Sequence, residues 1–218
     1  MLETYKTVYK GGQGEIVEKK SRFIATVRPV ETEEEAIAFL EEMRKTYWNA
    51  THNCYAYTVG KNREFTRCSD DGEPGGTAGR PMLDVLLGKK IHNVCVVVTR
   101  YFGGTLLGTG GLVRAYSRAV QEGLKCSELI EKKFGLILEI GTDYQGIGKI
   151  QYLAGERKIP VLDSQYTDRV TVKLLVPLHQ KEELKKAVTE ATSGRASLKE
   201  DKELYFAVRD GEYLLFDE

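Results

Sequence analysis

Ten of the 22 glycines in this 218-residue chain fall between residues 72 and 111. Glycine loses more conformational freedom on folding than any other residue, so such density demands a geometric reason. Two readings stay open. Glycines serve tight turns, where a positive φ or a close backbone approach excludes a side chain. The same geometry lets backbone N–H groups converge on an anion, above all where a loop feeds a helix start. Here Gly108-Thr109-Gly110-Gly111 runs straight into LVRAYSRAV. No GKS/GKT phosphate loop is present, nor a GxGxxG followed by the usual acidic residue, so ordinary nucleotide-binding patterns fail.

The elements around this stretch define an α/β sandwich. Strands are expected at 4–9 and 14–19, around the Gly11-Gly12 turn, and at 22–30. Thr32 opens a helix, with Glu35 at capping-box spacing and Ala36, Ile37, Phe39, Leu40, Met43 and Tyr47 as its buried face. Hairpin strands follow at 52–59 and 63–68. After the loop 69–79, Pro81 suits the first turn of a short helix. Residues 94–99 are apolar at nearly every position, as expected of a strand covered on both faces. A helix is expected over 112–124.

Between 127 and 133 the chain turns polar and charged, and a boundary is placed there, giving domains 1–130 and 131–218. The second reads strand (134–141), helix (144–156), strands (159–166 and 170–176), helix (180–192) and strand (204–208 or longer). That βαββαβ order is the ferredoxin-like split βαβ arrangement. The whole chain is thus a two-domain α+β protein.

Charge narrows the function classes. The formal net charge is zero, and residues 1–130 hold 18 Lys and Arg against 16 Asp and Glu. Neither domain carries the basic excess of a protein that grips nucleic acid by bulk charge, so such binding needs a local patch. No apolar run reaches the ~20 residues of a membrane helix, and the N-terminus lacks a secretory pattern; a cytoplasmic protein without membrane contact is expected. The four cysteines, Cys54, Cys68, Cys95 and Cys126, form no CxxC and no Cys/His cluster. Neither a metal nor another cofactor is expected. A three-residue loop, Gly60-Lys61-Asn62, would pair Val59 with Arg63 and set Cys54 opposite Cys68, read as two small buried thiols in a reducing compartment.

Candidate site residues gather in the first domain. Arg114 and Arg118 share one helix face opposite an apolar stripe, and Arg100 ends the buried strand. With Gly103, Gly104, Gly110 and Gly111 they compose an anion or RNA-phosphate surface; the alternative is a solvated helix face. Ser69-Asp70-Asp71-Gly72-Glu73 holds three carboxylates within four residues, and His52 stands at the start of the first hairpin strand. Asp70, Asp71, Glu73 and His52 are candidates for proton transfer in a hydrolase; the competing reading is an Asx turn. Tyr101 and Phe102 stack on bases if exposed, and pack if not.

Three stretches carry a resemblance: Thr51–Tyr57 as THNCYAY, Asp70–Pro81 as DDGEPGGTAGRP, and Val97–Gly108 as VVTRYFGGTLLG. Together they resemble the YigZ/IMPACT family. The resemblance implies an N-terminal domain like the second domain of a small-subunit ribosomal protein. It also implies a C-terminal ferredoxin-like domain like the fifth domain of elongation factor G. Eukaryotic relatives regulate translation under amino-acid starvation through an extra N-terminal module, for which this chain has no room. What carries over is a translation-linked expectation, with the ribosome, ribosomal RNA or transfer RNA as partner. The alternative is a hydrolase of unknown substrate.

Overall fold

A computed structural model describes residues 2–216, which divide between Glu131 and Lys132 into two units. In the first, the strands are β1 (Thr4–Lys10), β2 (Gln13–Glu18), β3 (Ser21–Pro29), β4 (His52–Val59), β5 (Phe65–Ser69), β6 (Ile91–His92) and β7 (Val94–Tyr101). The helices are α1 (Glu33–Thr46), α2 (Gly79–Gly88) and α3 (Thr109–Lys125). Five strands form an antiparallel sheet in the order β2-β3-β7-β4-β5, while β1 pairs with β6 in parallel.

Central strand β7 explains its own composition. Val94, Val96 and Val98 join Met82, Leu86 and Tyr116 in a core under α2 and α3. Cys95 and Val97, on the opposite face, pack with Ala36, Phe39 and Met43 of α1. Successive side chains alternate between faces, so a strand between two cores is apolar throughout. Helix α1 starts at the expected cap, where Thr32 Oγ1 accepts the Glu35 N–H at 3.2 Å. Ile37, expected in its buried face, is instead 51% exposed; it sits at the rim of the stripe, on the solvent side.

Other expectations shift. Val59 pairs with Phe65, not Arg63, and Ala56, not Cys54, lies opposite Cys68. The reason is a longer loop. Gly60 and Arg63 both have positive φ, 95° and 57°, and Arg63 N–H donates to Gly60 O at 3.0 Å. A residue in that conformation cannot continue a strand. Cys54 pairs instead with Val98 of β7. Helix α3 begins at Thr109, so the Gly110-Gly111 pair forms its first turn rather than leading into it.

The second unit contains most of β8 (Glu128–Thr142), then α4 (Ile147–Glu156), β9 (Val161–Tyr166), β10 (Val170–Pro177), α5 (Lys181–Ala191), β11 (Ser197–Arg209) and β12 (Glu212–Phe216). Antiparallel pairing runs β12-β11-β8-β10-β9. The first and third strands of the βαββαβ run are central neighbours, which is the ferredoxin-like arrangement. Leu138, Ile140, Ile150, Val172, Leu174 and Leu184 fill its core. The polar segment 127–133, where the domain boundary was expected, contains the division between the units and is strand from Glu128 onward.

Candidate functional site

Strand register assembles a polar cluster in the first unit. β4 pairs His52 with Arg100, and β3 pairs Phe23 with Arg100. The three side chains therefore leave one sheet face as neighbours. The loop between β5 and α2 brings Glu73 over them. Arg100 Nη1 donates to Glu73 Oε1 at 2.5 Å, and the Tyr116 hydroxyl donates to the same oxygen at 2.7 Å. His52 Nε2 stands 3.9 Å from Glu73 Oε2. Burial, then the neighbouring Cys54 and Glu73, pushes the Tyr116 phenol far up, keeping it a neutral donor. A pocket of about 440 Å³ opens above the cluster, walled by Pro74, Phe102, Leu106 and Leu112.

The carboxylates have separate duties. Asp70 accepts N–H bonds from Gly76 at 2.8 Å, Ala78 at 3.0 Å and Gly79 at 2.8 Å, so its side chain holds its own loop. Burial raises the Asp70 pKa, but these three N–H groups outweigh it and leave the carboxyl below its ordinary value. Asp71 Oδ2 accepts the Asn53 N–H at 2.7 Å, and His52 Nδ1 lies 2.8 Å from Asp71 O. Of the four candidates for proton transfer, the structure gathers His52 and Glu73 on one pocket. Asp70 and Asp71 are committed to loop and strand backbone.

The anion-surface candidates also separate. The Arg100 side chain is only 6% exposed and its charge is met by Glu73. It lies inside the domain and supports the surface rather than forming it. Arg114 and Arg118 are exposed on α3. Arg118 Nη1 reaches Glu18 Oε2 at 3.3 Å, whereas Arg114 forms no ion pair among the described residues. A Cβ built on Gly110 would lie 3.6 Å from Arg114 Nη1, so that guanidinium folds back over the first turn of α3. No side chain caps this turn, and its first backbone bond is Leu112 N–H to Gly108 O at 3.0 Å. The N–H groups of Thr109, Gly110 and Gly111, at the open end of the helix, thus have no hydrogen-bond partner among the described residues.

Sequence reasoning missed Lys19 and Lys20. Glu18 pairs with Ser21, leaving the two lysines as a two-residue hairpin turn with φ of 45° and 68°. That is a type I′ geometry, which favours Asn-Gly. The only available signal was the two-residue gap between strands. Both lysines are exposed. A Cβ on Gly103 would come within 2.1 Å of the Lys20 carbonyl carbon, so the glycine loop packs directly on this turn. Lys19, Lys20, Arg114 and Arg118 consequently border one surface with Gly103, Gly104, Gly110 and Gly111.

This geometry sits in a segment shared with known proteins. Residues 19–124 match the Impact N-terminal domain, and residues 140–195 match a domain of unknown function (DUF1949). The chain is 42% identical over 205 residues to the IMPACT family member YvyE of Bacillus subtilis, covering 94% of each protein. The chain belongs to the IMPACT family. It is also 34% identical to the family member YigZ of Escherichia coli, over 83% of this chain and 89% of that one. A crystal structure of a hypothetical protein aligns with a TM-score of 0.59 at 31% identity, covering 93% of this chain and 99% of that one. The IMPACT N-terminal match contains both lysines of the β2–β3 turn, the buried cluster and the first turn of α3. Among the described residues, no helix is long and apolar enough to cross a membrane.

Proposed function

We propose that this IMPACT family member is a translation-associated RNA- or ribosome-binding protein, reading phosphate with the surface formed by the β2–β3 turn and the start of α3. The observation that carries this reading is Arg114: exposed, without an acid partner among the described residues, and folded over three N–H groups likewise without a partner there. A guanidinium beside backbone donors at a helix start suits a phosphate oxygen pair. Arg118 lies one turn further along, and Lys19 and Lys20 line the opposite bank. Local charge of this kind compensates for a neutral chain. Two lysines where a type I′ turn favours Asn-Gly are a strained choice, and strain of that sort clusters at functional positions.

Ribosome co-sedimentation and RNA binding across a salt series test the reading. Affinity is expected to fall steeply with salt. Arg114→Ala combined with Arg118→Ala is expected to reduce the log–log salt slope by about 1 per arginine. An unchanged affinity and slope in that variant would show this surface to be the wrong one.

A further inference from the structure

Large exposed rings stand beside the phosphate-reading surface. Trp48, the sole tryptophan of the chain, is 81% exposed, and Phe102 is 46% exposed. An indole so open to water contributes little to a core, and exposed aromatics of this size carry meaning when they gather near charge. Hydrogen bonds tie the two chain segments that carry them to one end of the sheet, with the Phe102 ring 5.6 Å from the Arg100 guanidinium at the pocket wall. Phe102 N–H donates to Thr51 Oγ1 at 3.1 Å, and three residues of chain, at most ~11 Å, separate Thr51 from Trp48. Tyr101 donates to Asn49 Oδ1 at 3.0 Å, which ties the turn carrying Trp48 to the end of β7. Gly103, next to Phe102, packs on Lys20, and Arg22 lies 5.8 Å from the Tyr101 ring centroid. The segments that carry these rings and cations therefore meet at the end of β7.

Most nearby acids are paired. Glu15 is paired with Arg22 and Glu18 with Arg118, while Arg44 serves both Glu41, at 2.9 Å, and Asp71, at 3.9 Å. Lys19, Lys20, Lys45 and Arg114 have no acid partner among the described residues, so the surface around the rings is net positive.

We infer that the nucleic acid taken by this surface is single-stranded RNA, with unpaired bases stacking on Trp48 and Phe102 while the lysines and Arg114 take the phosphates. The inference rests on the RNA-binding reading above and adds the strand state. A duplex keeps its base faces covered by neighbouring pairs and offers only phosphate and groove. Splayed bases present the flat apolar faces that exposed rings match.

The test uses the full chain, a mixed-sequence RNA of about 12 nucleotides, and the same RNA annealed to its complement. Expected for the single strand is quenching of Trp48 emission, with binding about tenfold tighter than for the duplex. Trp48→Ala and Phe102→Ala are each expected to weaken single-strand binding by about tenfold and to leave the salt slope unchanged. Both positions are exposed, and circular dichroism checks that the variants remain folded. Equal affinity for the two forms, with neutral ring variants, would overturn the inference while leaving the phosphate surface standing. Absence of binding to either form would remove both.

Discussion

Arg100 Nη1 meets Glu73 Oε1 at 2.5 Å, with 6% and 2% of the two side chains exposed. A buried pair of this kind is costly to break, because the remaining charge has no water and no partner. Glu73→Ala is expected to destabilise the first unit by about 3–5 kcal/mol. Glu73→Met with Arg100→Met is expected to cost less than the sum of the single changes, since no charge is stranded. Urea denaturation of the wild type, Glu73→Ala, the two methionine single variants and their double measures both quantities.

Asp70 ties the glycine loop to its own carboxylate, and its folded pKa lies below the ordinary value. A depressed acid stabilises the fold above its unfolded pKa, about 3.9, and loses that contribution as pH falls through the lower folded value. Asp70→Asn should therefore cost about 1–3 kcal/mol at pH 7 and progressively less below pH ~4. Denaturation curves collected from neutral to acid pH follow this directly. A pH-independent loss would contradict the assignment.

The four cysteines are free thiols, with Cys54 and Cys95 buried and Cys68 and Cys126 exposed. Burial pushes the Cys54 and Cys95 thiols well up, suppressing the reactive thiolate. A thiol reagent at pH 8 is expected to modify Cys68 and Cys126 in the native protein. Cys54 and Cys95 should follow only after denaturant is added. Mass spectrometry of the labelled peptides distinguishes the sites.

The turn Lys19-Lys20 sets stability against binding. Lys19→Asn with Lys20→Gly fits the type I′ geometry and should raise stability by about 1 kcal/mol. On the proposed surface the same change removes two cations, so RNA affinity at low salt should fall by about tenfold. Thermal melts and binding isotherms on one protein preparation give the two effects separately.

Much of this architecture was legible in local chemistry. Thr32 and Glu35 announce the start of α1, and VCVVV announces a strand between two cores. What escaped was set by distance or by disguise. His52 and Arg100 are neighbours only through β-pairing, which no local pattern shows. Glu73 sits in a loop that reads as solvated, yet its side chain is almost sealed because Arg100 and Tyr116 await it. Arg63 is held at φ 57°, which lengthened the hairpin loop and displaced the Cys54–Cys68 pairing. Ile130, Lys132 and Phe134 are the buried alternates of β8, and the lysine among them hid the strand period in a charged segment. The proposed surface was half visible: Arg114 and Arg118 by helical spacing, Lys19 and Lys20 not at all.

The alternation along β7 has a consequence for how this sequence can change. Val94 to Val98 would satisfy either core equally well if the strand slid by one residue, because both sides want apolar groups. The polar residues that follow break that degeneracy. Thr99 Oγ1 donates to Asn53 Oδ1 at 2.7 Å on one face, and Arg100 reaches Glu73 on the other. A one-residue slip would exchange the two and strand a buried charge on each side. Exchange of one apolar residue for another of similar volume within the valine run is therefore expected to be mild, whereas inserting or deleting a single residue there would dismantle the domain.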